Sequence, residues 1–576
     1  MKIGSFTFVL HSHIPYCRNA GRWPHGEEWL HEAAAESYLP LLMALYDLKK
    51  ERHHFRLTLG LTPVLVEQLA DPLVTKHLDE FLEDKIKRAQ RDVARFEKAR
   101  EGHLVYLANF YLERFRQIQA AFHERFHRNI VKAFKKLQDD GYVEIATSAA
   151  THAYLPLLER DSTIYSQLKT GNDSYKRHFD VEPKSCWLPE CGYRPSFYSK
   201  YEGGTYVKPG LEQFLSQLGL HCFFAETHQV EGGEPVGKAK EEVVGPYGNI
   251  PRRYVVPLKG FVEPTHKTTY LPYWVQTPQV AVLGRNDSTG VQVWSADWGY
   301  PGDFNYREFH KKDGISGLQY WKVTGDKVDL AYKEYYDPYW AAQRVDEHSS
   351  HFSNLVERSL INFYQEHGKF GIIAAAYDTE LFGHWWFEGV DWMKKVLQHL
   401  SKSEVVDLNT ANEYIELHPP EDVLSLPEGS WGIGGGHFTW KNVDNEWMLS
   451  VSNKASIKME QLVAKFPNAD GKLKQILDQA ARELLLLQSS DWAFLVTTGQ
   501  AREYAIERFG YYTDVNNYRG HVGKFYRLVE IVESENVDQC AADFCQQFWE
   551  EDKIFPDIDY RIFQNREQLQ VTERKR

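Results

Sequence analysis

The first four hundred residues alternate between short apolar runs and longer stretches of helical periodicity, and each apolar run breaks off in polar and aromatic residues. Phe6 to Leu10 opens into His11, Ser12 and His13, with Pro15 stopping the strand. After a helical pattern over Ala33 to Lys50, Phe55 to Leu61 predicts a second strand. GYVEIATSAATHAYLPLL, Gly141 to Leu158, predicts a third, with Glu144, Thr147, Ser148 and His152 in or beyond its carboxyl half. KSCWLPE, Lys184 to Glu190, and LGLHCFFAE, Leu218 to Glu226, follow, the latter ahead of His228. Val291 to Ser295 reads as a further strand, and Ile372 to Ala376 as one buried on both faces that ends in Asp378 and Glu380. Val405 to Leu408 and the NTANEY segment, Asn409 to Tyr414, close this part.

Between the second and third strands, Lys76 to Asp140 is rich in Glu, Lys, Arg, Gln and Leu and broken only by Gly102. It predicts long helices, too many residues for a simple crossover. Gln229 to Pro278 has no periodicity but many Gly, Pro and Tyr, and a loop of that length is expected to be functional or disordered. Pro338 to Gln365 is a helix by pattern. Beyond Pro419 and Pro420 comes the glycine-rich SWGIGGGHFTW, Ser430 to Trp440, then helices: Ile476, Ala480, Leu484 and Leu487 share one face, and Tyr518 to Glu533 is amphipathic. Strands alternating with helices predict an α/β fold. The expected organisation is a parallel, barrel-like domain over residues 1–415 with a helical insertion at about 70–140, then a helical domain over 416–576 ending in a polar tail.

With 43% hydrophobic and 26% charged residues the composition is that of a water-soluble globular protein, and no membrane partner is expected. A formal charge of −13 argues against a nucleic-acid backbone as partner. Six cysteines with no CxxC or CxxH spacing suggest free thiols, and the apolar run at the N-terminus is too short for a signal segment, so the expected compartment is the cytoplasm. No oligomeric state can be read from the sequence. Aromatic content is high, with 16 Trp, 33 Tyr and 32 Phe, and flat rings with a polar edge suit sugar stacking as well as core packing. Trp23 and Trp29, in the Gly- and Pro-punctuated GRWPHGEEW, are the loop tryptophans best placed by sequence for stacking.

In a barrel of parallel strands the active site gathers at the carboxyl ends. Two acids on different strand ends, Glu190 and Asp378, with tryptophan and histidine around them and no metal motif, fit glycosidic-bond chemistry, in which one carboxylate attacks and a second, protonated, assists the leaving oxygen. Asp378 taken alone reads equally well as the cap of a helix beginning near Trp386. Spacing does not decide which acid is the nucleophile. Glu144, within its strand, reads as a hydrogen-bonding support of the site ahead of an ordinary edge residue, and His384, Trp385 and Trp386 are candidates for a low-polarity wall around Asp378, the two tryptophans reading also as core.

HSHIPY (His11 to Tyr16), GYVEIATS (Gly141 to Ser148), WLPECGY (Trp187 to Tyr193), YDTELFGHWW (Tyr377 to Trp386) and NTANEY resemble, in order and spacing, the five sequence regions of glycoside hydrolase family 57. GRWPHGEEW, VWSADWGYPGDFNYREFH, SWGIGGGHFTW and SSDWAFL resemble the family's 1,4-α-glucan branching enzymes, over roughly the first 510 residues. The resemblance implies an incomplete (β/α)7 barrel with an inserted helical subdomain and a C-terminal helical domain. It also implies an α-1,4-glucan substrate, no cofactor, and retaining transfer to a 6-hydroxyl, with Glu190 as nucleophile and Asp378 as acid/base. His11, His13 and His152 would surround the reacting sugar. Trp23, Trp29, Trp294, Trp431 and Trp440 would line subsites, and Asp491 would reach the cleft from the helical domain. The branching enzymes also carry a loop tyrosine over the site; the loop here does not match their pattern, and Tyr247 in GPYG is the candidate. The competing expectations are α-amylase or 4-α-glucanotransferase activity with the same acids, a metal-dependent deacetylase using His11 and His13 as ligands, and a glucan-binding protein without turnover.

Overall fold

The structure is a computed structural model that describes residues 2–201, 204–233, 243–245, 248–250, 263–276, 279–294, 299–325, 327–534 and 538–566. Seven strands run parallel: β1 (Gly4–Ser12), β2 (Leu57–Leu61), β3 (Val143–Ser148), β4 (Ser185–Trp187), β5 (Cys222–Ala225), β6 (Ala281–Gly284) and β7 (Gly371–Asp378). Their order in space is β7-β1-β2-β3-β4-β5-β6. The β1/β7 ladder is continuous from Gly4↔Gly371 to His11↔Asp378. At the other end of the sheet only one bridge, Arg285↔Ala374, joins the segment after β6 to β7. Among the described residues the barrel is therefore incomplete, joined on that side by one bridge and a few hydrogen bonds instead of a ladder.

Strand alternation sorts side chains into two cores. Phe6, Phe8 and Leu10 of β1 and Ile373, Ala375 and Tyr377 of β7 pack outward against helices. Val9, Ile372, Ala374 and Ala376 turn inward, where they meet Trp187, Phe224 and Leu283. The small alanines of β7 leave room for those inner aromatics. Each fully buried Phe, Leu or Ile contributes roughly 1.5–3 kcal/mol, so both faces of β7 favour this register.

The helices used below are α1 (Glu27–Ala33), α2 (Pro72–Ala99), α3 (Gly102–Ala120), α4 (Asp287–Trp294), α5 (Pro338–His367), α6 (Ala411–Leu417), α7 (Glu446–Lys465), α8 (Gly471–Leu487), α9 (Ser490–Thr498) and α10 (Gly520–Glu533). The insertion between β2 and β3 is built on α2 and α3. Asp71 caps α2 by accepting from Leu73 N–H at 2.7 Å and Val74 N–H at 3.2 Å, Pro72 occupies its first turn, and Val74, Leu78, Leu82, Ala89 and Phe96 form its buried stripe. The helix ends at Arg100, which is left-handed at φ 59°.

Val291 to Ser295 corrects the sequence reading. Val291–Trp294 lies in α4, and the strand before it is β6, from Ala281 to Gly284. Asn286 starts the helix, its Oδ1 accepting from Thr289 N–H at 3.1 Å and its carbonyl from Gly290 N–H at 3.1 Å. A four-residue strand between Gly- and Pro-rich segments has too little pattern to show itself.

The C-terminal helices share one core, with Met459, Ile476, Ala480, Leu484 and Leu487 buried in it beside Tyr16, Val64 and Ala150 of the barrel half. Polar groups fasten the two halves. Glu460 of α7 accepts from Arg160 Nη2 at 2.8 Å and Ser162 Oγ at 2.6 Å, and Ser490 N–H donates to His152 O at 3.1 Å.

Candidate active site

The carboxyl end of β1 delivers His11 and His13, and the turn after β3 delivers His152, in the left-handed region at φ 59°. The three imidazoles stack: His13 lies 3.8 Å from His152 and His11 5.0 Å from His152, centroid to centroid. His11 Nε2 and His152 Nε2 are 3.0 Å apart, so one donates and the other accepts, and at least one ring is neutral. His11 also stacks on Trp187 at 4.8 Å. From the helical half, Asp491 of α9 holds His13 Nε2 at 2.9 and 3.1 Å, while Ser490 Oγ meets His152 Nδ1 at 2.9 Å.

One proton belongs to this stack. Burial pushes His11 well below the ordinary imidazole value and the charge of His13 adds to it; His152 is lowered in the same way. For His13, burial works downward too, but Asp491, Glu380 and Glu190 more than offset it and raise its pKa. Of the three rings, His13 is the one whose surroundings favour the charged form.

Glu190 sits in the short turn Pro189–Cys191 after β4, at φ 62° and ψ 25°, with Cys191 also left-handed at φ 50°. A non-glycine residue held there costs on the order of 1–3 kcal/mol. The glycine-rich segment holds it in place: Trp431 N–H donates to Glu190 O at 3.0 Å and the Trp431 indole N–H donates to Glu190 Oε2. Glu190 Oε1 lies 4.0 Å from His152 Nδ1, and the carboxylate is 14% exposed, open to a cleft. Asp378 ends β7 directly beside His11 in the ladder. The buried Cys191 thiol beside Glu190 is raised by desolvation first, then by the charge of Glu226.

Sequence reading gave Glu380 no role, and the structure gives it one. Its Oε1 accepts from His13 N–H at 3.0 Å and from the Tyr38 hydroxyl. Burial, helped by the Asp378 charge, raises Glu380 to about 7 against the pull of those donors. The signal was a second acid two residues after the first, but Tyr38 comes from a distant helical segment. His384 turns away to bind Glu36 Oε2 at 2.7 Å, across Gly383, where the φ of 97° and the Glu36 carbonyl, which a Cβ would meet at 1.9 Å, exclude a side chain. Trp386 is core, and Trp385 stacks on Phe309 at 5.6 Å. The helix after them begins at Gly389 with Glu388 as its cap residue, so Asp378 caps no helix near Trp386. Glu144 accepts from Ser185 Oγ and from Asn412 N–H at the start of α6, tying β3 to β4 and α6.

The tryptophans divide. Trp431 is at the site, 5.1 Å from Trp187. Trp440 is 1% exposed and stacks on Tyr154 at 4.1 Å, behind the cleft wall instead of on it; the Tyr154 hydroxyl pairs with His437 Nδ1 at 2.7 Å. Trp29 packs edge-on against Tyr504 at 5.2 Å between the two halves, and Trp23 is 79% exposed on its loop. Trp294 ends α4 under the Arg285 guanidinium at 5.8 Å. Tyr247 lies outside the described residues. His13, His152 and Asp491 have donor atoms within 4.8 Å of one another, a set able to hold a metal ion, although each is already engaged in the hydrogen bonds above.

The sequence model of glycosyl hydrolase family 57 matches residues 7–427. The chain belongs to that family. A second model, the C-terminal region of 1,4-alpha-glucan branching enzymes, matches residues 452–563. A 1,4-alpha-glucan branching enzyme of Thermococcus kodakarensis is 44% identical over 507 residues, spanning 88% of this chain and 71% of that protein. The crystal structure of a family 57 branching enzyme from the same organism superposes with a TM-score of 0.86 at 41% identity, covering 98% of this chain and 97% of that one. An alpha-amylase from Thermotoga maritima superposes at 0.79 with 30% identity, covering 98% and 99%. The incomplete (β/α)7 barrel with its helical additions is thus a family 57 fold.

Proposed function

We propose that this family 57 protein is a 1,4-α-glucan branching enzyme acting on amylose- or glycogen-like α-glucans. The observation that carries the reading is that the region resembling branching-enzyme C-terminal domains reaches into the barrel mouth. Asp491 of that region bonds His13, in the same imidazole stack that borders Glu190. In this reading residues 1–415 form the catalytic unit, with the insertion at about 70–140, and residues 416–576 complete its cleft.

Glu190 is the nucleophile. The indole donor on Oε2 favours the anion that attack on an anomeric carbon requires. Asp378 gives its proton to the departing 4-oxygen as the glycosidic bond breaks, leaving the donor segment esterified to Glu190. A 6-hydroxyl of a second glucan then attacks the anomeric carbon, its proton passes to Asp378, and the Glu190 carboxylate leaves. Two inversions give net retention and an α-1,6 branch. Protonated His13 and neutral His11 and His152 contact the reacting sugar, Trp431 borders it, and exposed Trp23 offers a stacking face farther out. Branching of this kind belongs to glycogen biosynthesis. Six free thiols suit a reducing cytoplasm, and no helix among the described residues is long and apolar enough to cross a membrane.

The structural likeness to an alpha-amylase keeps one alternative, hydrolysis by the same acids. Incubating amylose and counting new α-1,6 linkages against new reducing ends separates the two. Branches in excess are expected; reducing ends without branches would overturn the reading.

A further inference from the structure

Away from the barrel mouth, Glu27 and His31 lie one turn apart on α1 and face His77 in the second turn of α2. Glu27 is 1% exposed and His31 4%, while the His77 side chain keeps 12%. Glu27 divides its carboxylate. Oε1 accepts from Asn19 N–H at 2.9 Å, and Oε2 lies 2.6 Å from His77 Nδ1 and 3.4 Å from His31 Nε2. The donor atoms of the three side chains fall within 4.8 Å of one another. The only polar contact of the two buried His31 ring nitrogens among the described residues is the long 3.4 Å approach of Nε2 to Glu27, and Nδ1 makes no hydrogen bond. A buried polar group in that condition is costly, and an aliphatic side chain would fill the position without the cost.

We propose that Glu27, His31 and His77 form a binding site for a divalent transition-metal ion, with zinc the best fit. Two imidazoles and one carboxylate are ordinary zinc donors, and bonds of about 2.0–2.1 Å in a tetrahedron set donors roughly 3.3 Å apart. The His31–Glu27 separation of 3.4 Å already has that value. The 2.6 Å His77–Glu27 contact is a hydrogen bond that the ion displaces as the pair opens, the ring proton moving from Nδ1 to Nε2. Residues i and i+4 of a helix present their side chains to one side, which is how α1 offers two ligands at once. Asn19 orients the carboxylate from behind and leaves Oε2 free to ligate. The fourth position opens beside the partly exposed His77 and takes water.

The ion joins two parts of the chain. The backbone N–H groups of Glu27 and Glu28 donate to the carbonyls of Gly21 and Arg22 at 2.9 and 3.1 Å, so α1 is fastened to the loop that carries Trp23. Coordination by His77 clips that loop to the helical insertion. The site is structural, takes no part in bond breaking, and stands whether or not the branching reading holds.

The test uses the full chain, stripped with a chelator and titrated with zinc or cobalt(II). One bound equivalent, a rise in melting temperature and a tetrahedral cobalt visible spectrum without thiolate charge transfer are expected. The equivalent should be lost in His31→Leu and His77→Gln and kept in Asp491→Asn. Metal-free His31→Leu should melt within a few degrees of the metal-free parent, as expected when a buried imidazole with one long polar contact is replaced by an apolar group. Failure to bind, an equivalent that survives in both histidine variants, or one lost in Asp491→Asn overturns the proposal. Should the variants misfold, the cobalt spectrum of the unaltered chain decides.

Discussion

Two clusters of histidine and carboxylate stand on opposite sides of the boundary between the barrel and the helical half. At the barrel mouth, His13 and Asp491 pair with side chains 10% and 12% exposed, among neutral imidazoles and beside a cleft. In the C-terminal bundle, His521 and Glu483 pair at 2.8 Å with side chains 1% and 0% exposed, and Lys524 pairs with Asp552 next to them. The residue types are the same; the neighbours are not. In the bundle, burial raises Glu483 and the Asp552 charge raises it further, while Lys524, His521 and Arg508 hold Asp552 low against its own burial. Burial and mutual repulsion favour the neutral form of Glu483, the surrounding cations favour the ionised form of Asp552, and both are sealed. At the mouth the charged imidazole is within reach of a substrate. Solvent access and neighbouring charge, more than residue identity, separate a cluster that holds structure from one suited to chemistry.

The sharpest division between the regions should come from Glu190→Gln and Asp378→Asn. Turnover on amylose should fall by on the order of 10⁴-fold, as for loss of a group that reacts covalently or transfers the proton. Unfolding free energy should move by about 0.5 kcal/mol or less, since neither carboxyl supports the core. Glucan binding by affinity electrophoresis should persist. Retained turnover in either variant would remove that acid from the mechanism.

The bundle should respond the other way. Lys524→Met leaves Asp552 without its main cation, and breaking a buried ion pair costs about 3–5 kcal/mol. Denaturant unfolding should show that loss while kcat on amylose, measured well below the transition, stays at the parent value. A change in kcat without a change in stability would erase the contrast.

What the sequence disclosed follows the same division. β1 and β7 were legible because an eight-residue ladder buried on both faces leaves an unbroken apolar run. β6 was not, because four residues between loops carry no period, and the neighbouring Val291 to Trp294 supplied a better strand pattern inside a helix. At the site, the histidines and acids at strand ends were readable because a parallel barrel must place them there. Glu380 was visible as a residue but not as a partner, since its environment comes from Tyr38 and from a backbone N–H. Trp440 shows the limit for aromatics: sequence names the ring, and only packing on Tyr154 says that its faces are covered.

A smaller effect at the mouth is expected from Trp431→Phe, which keeps the ring and removes the donor on Glu190. A hydrogen bond to a charged group contributes about 1.5–3 kcal/mol, so kcat/KM should drop roughly 10- to 100-fold with little change in melting temperature. An unchanged kcat/KM would mean that the indole N–H does not support the reacting carboxylate.

Asp491→Asn should give the smallest effect, and it is where pH separates the two clusters. Because His13 has a raised pKa in the fold, the stability of its charged pair is fully present below the unfolded-state value near 6.5 and fades as pH rises through the folded value. Replacing Asp491 by Asn removes the attraction but keeps a hydrogen-bonding side chain of the same size, so the cost at pH 5.5 should be about 1–2 kcal/mol. By pH 9 the parent has also lost its charged imidazole, and the difference between the two proteins should shrink towards zero. Urea unfolding of both proteins at the two pH values measures this directly. A penalty that is constant, or that grows with pH, would show that Asp491 holds a neutral His13, and the proton assigned to the mouth would have to sit elsewhere in the stack.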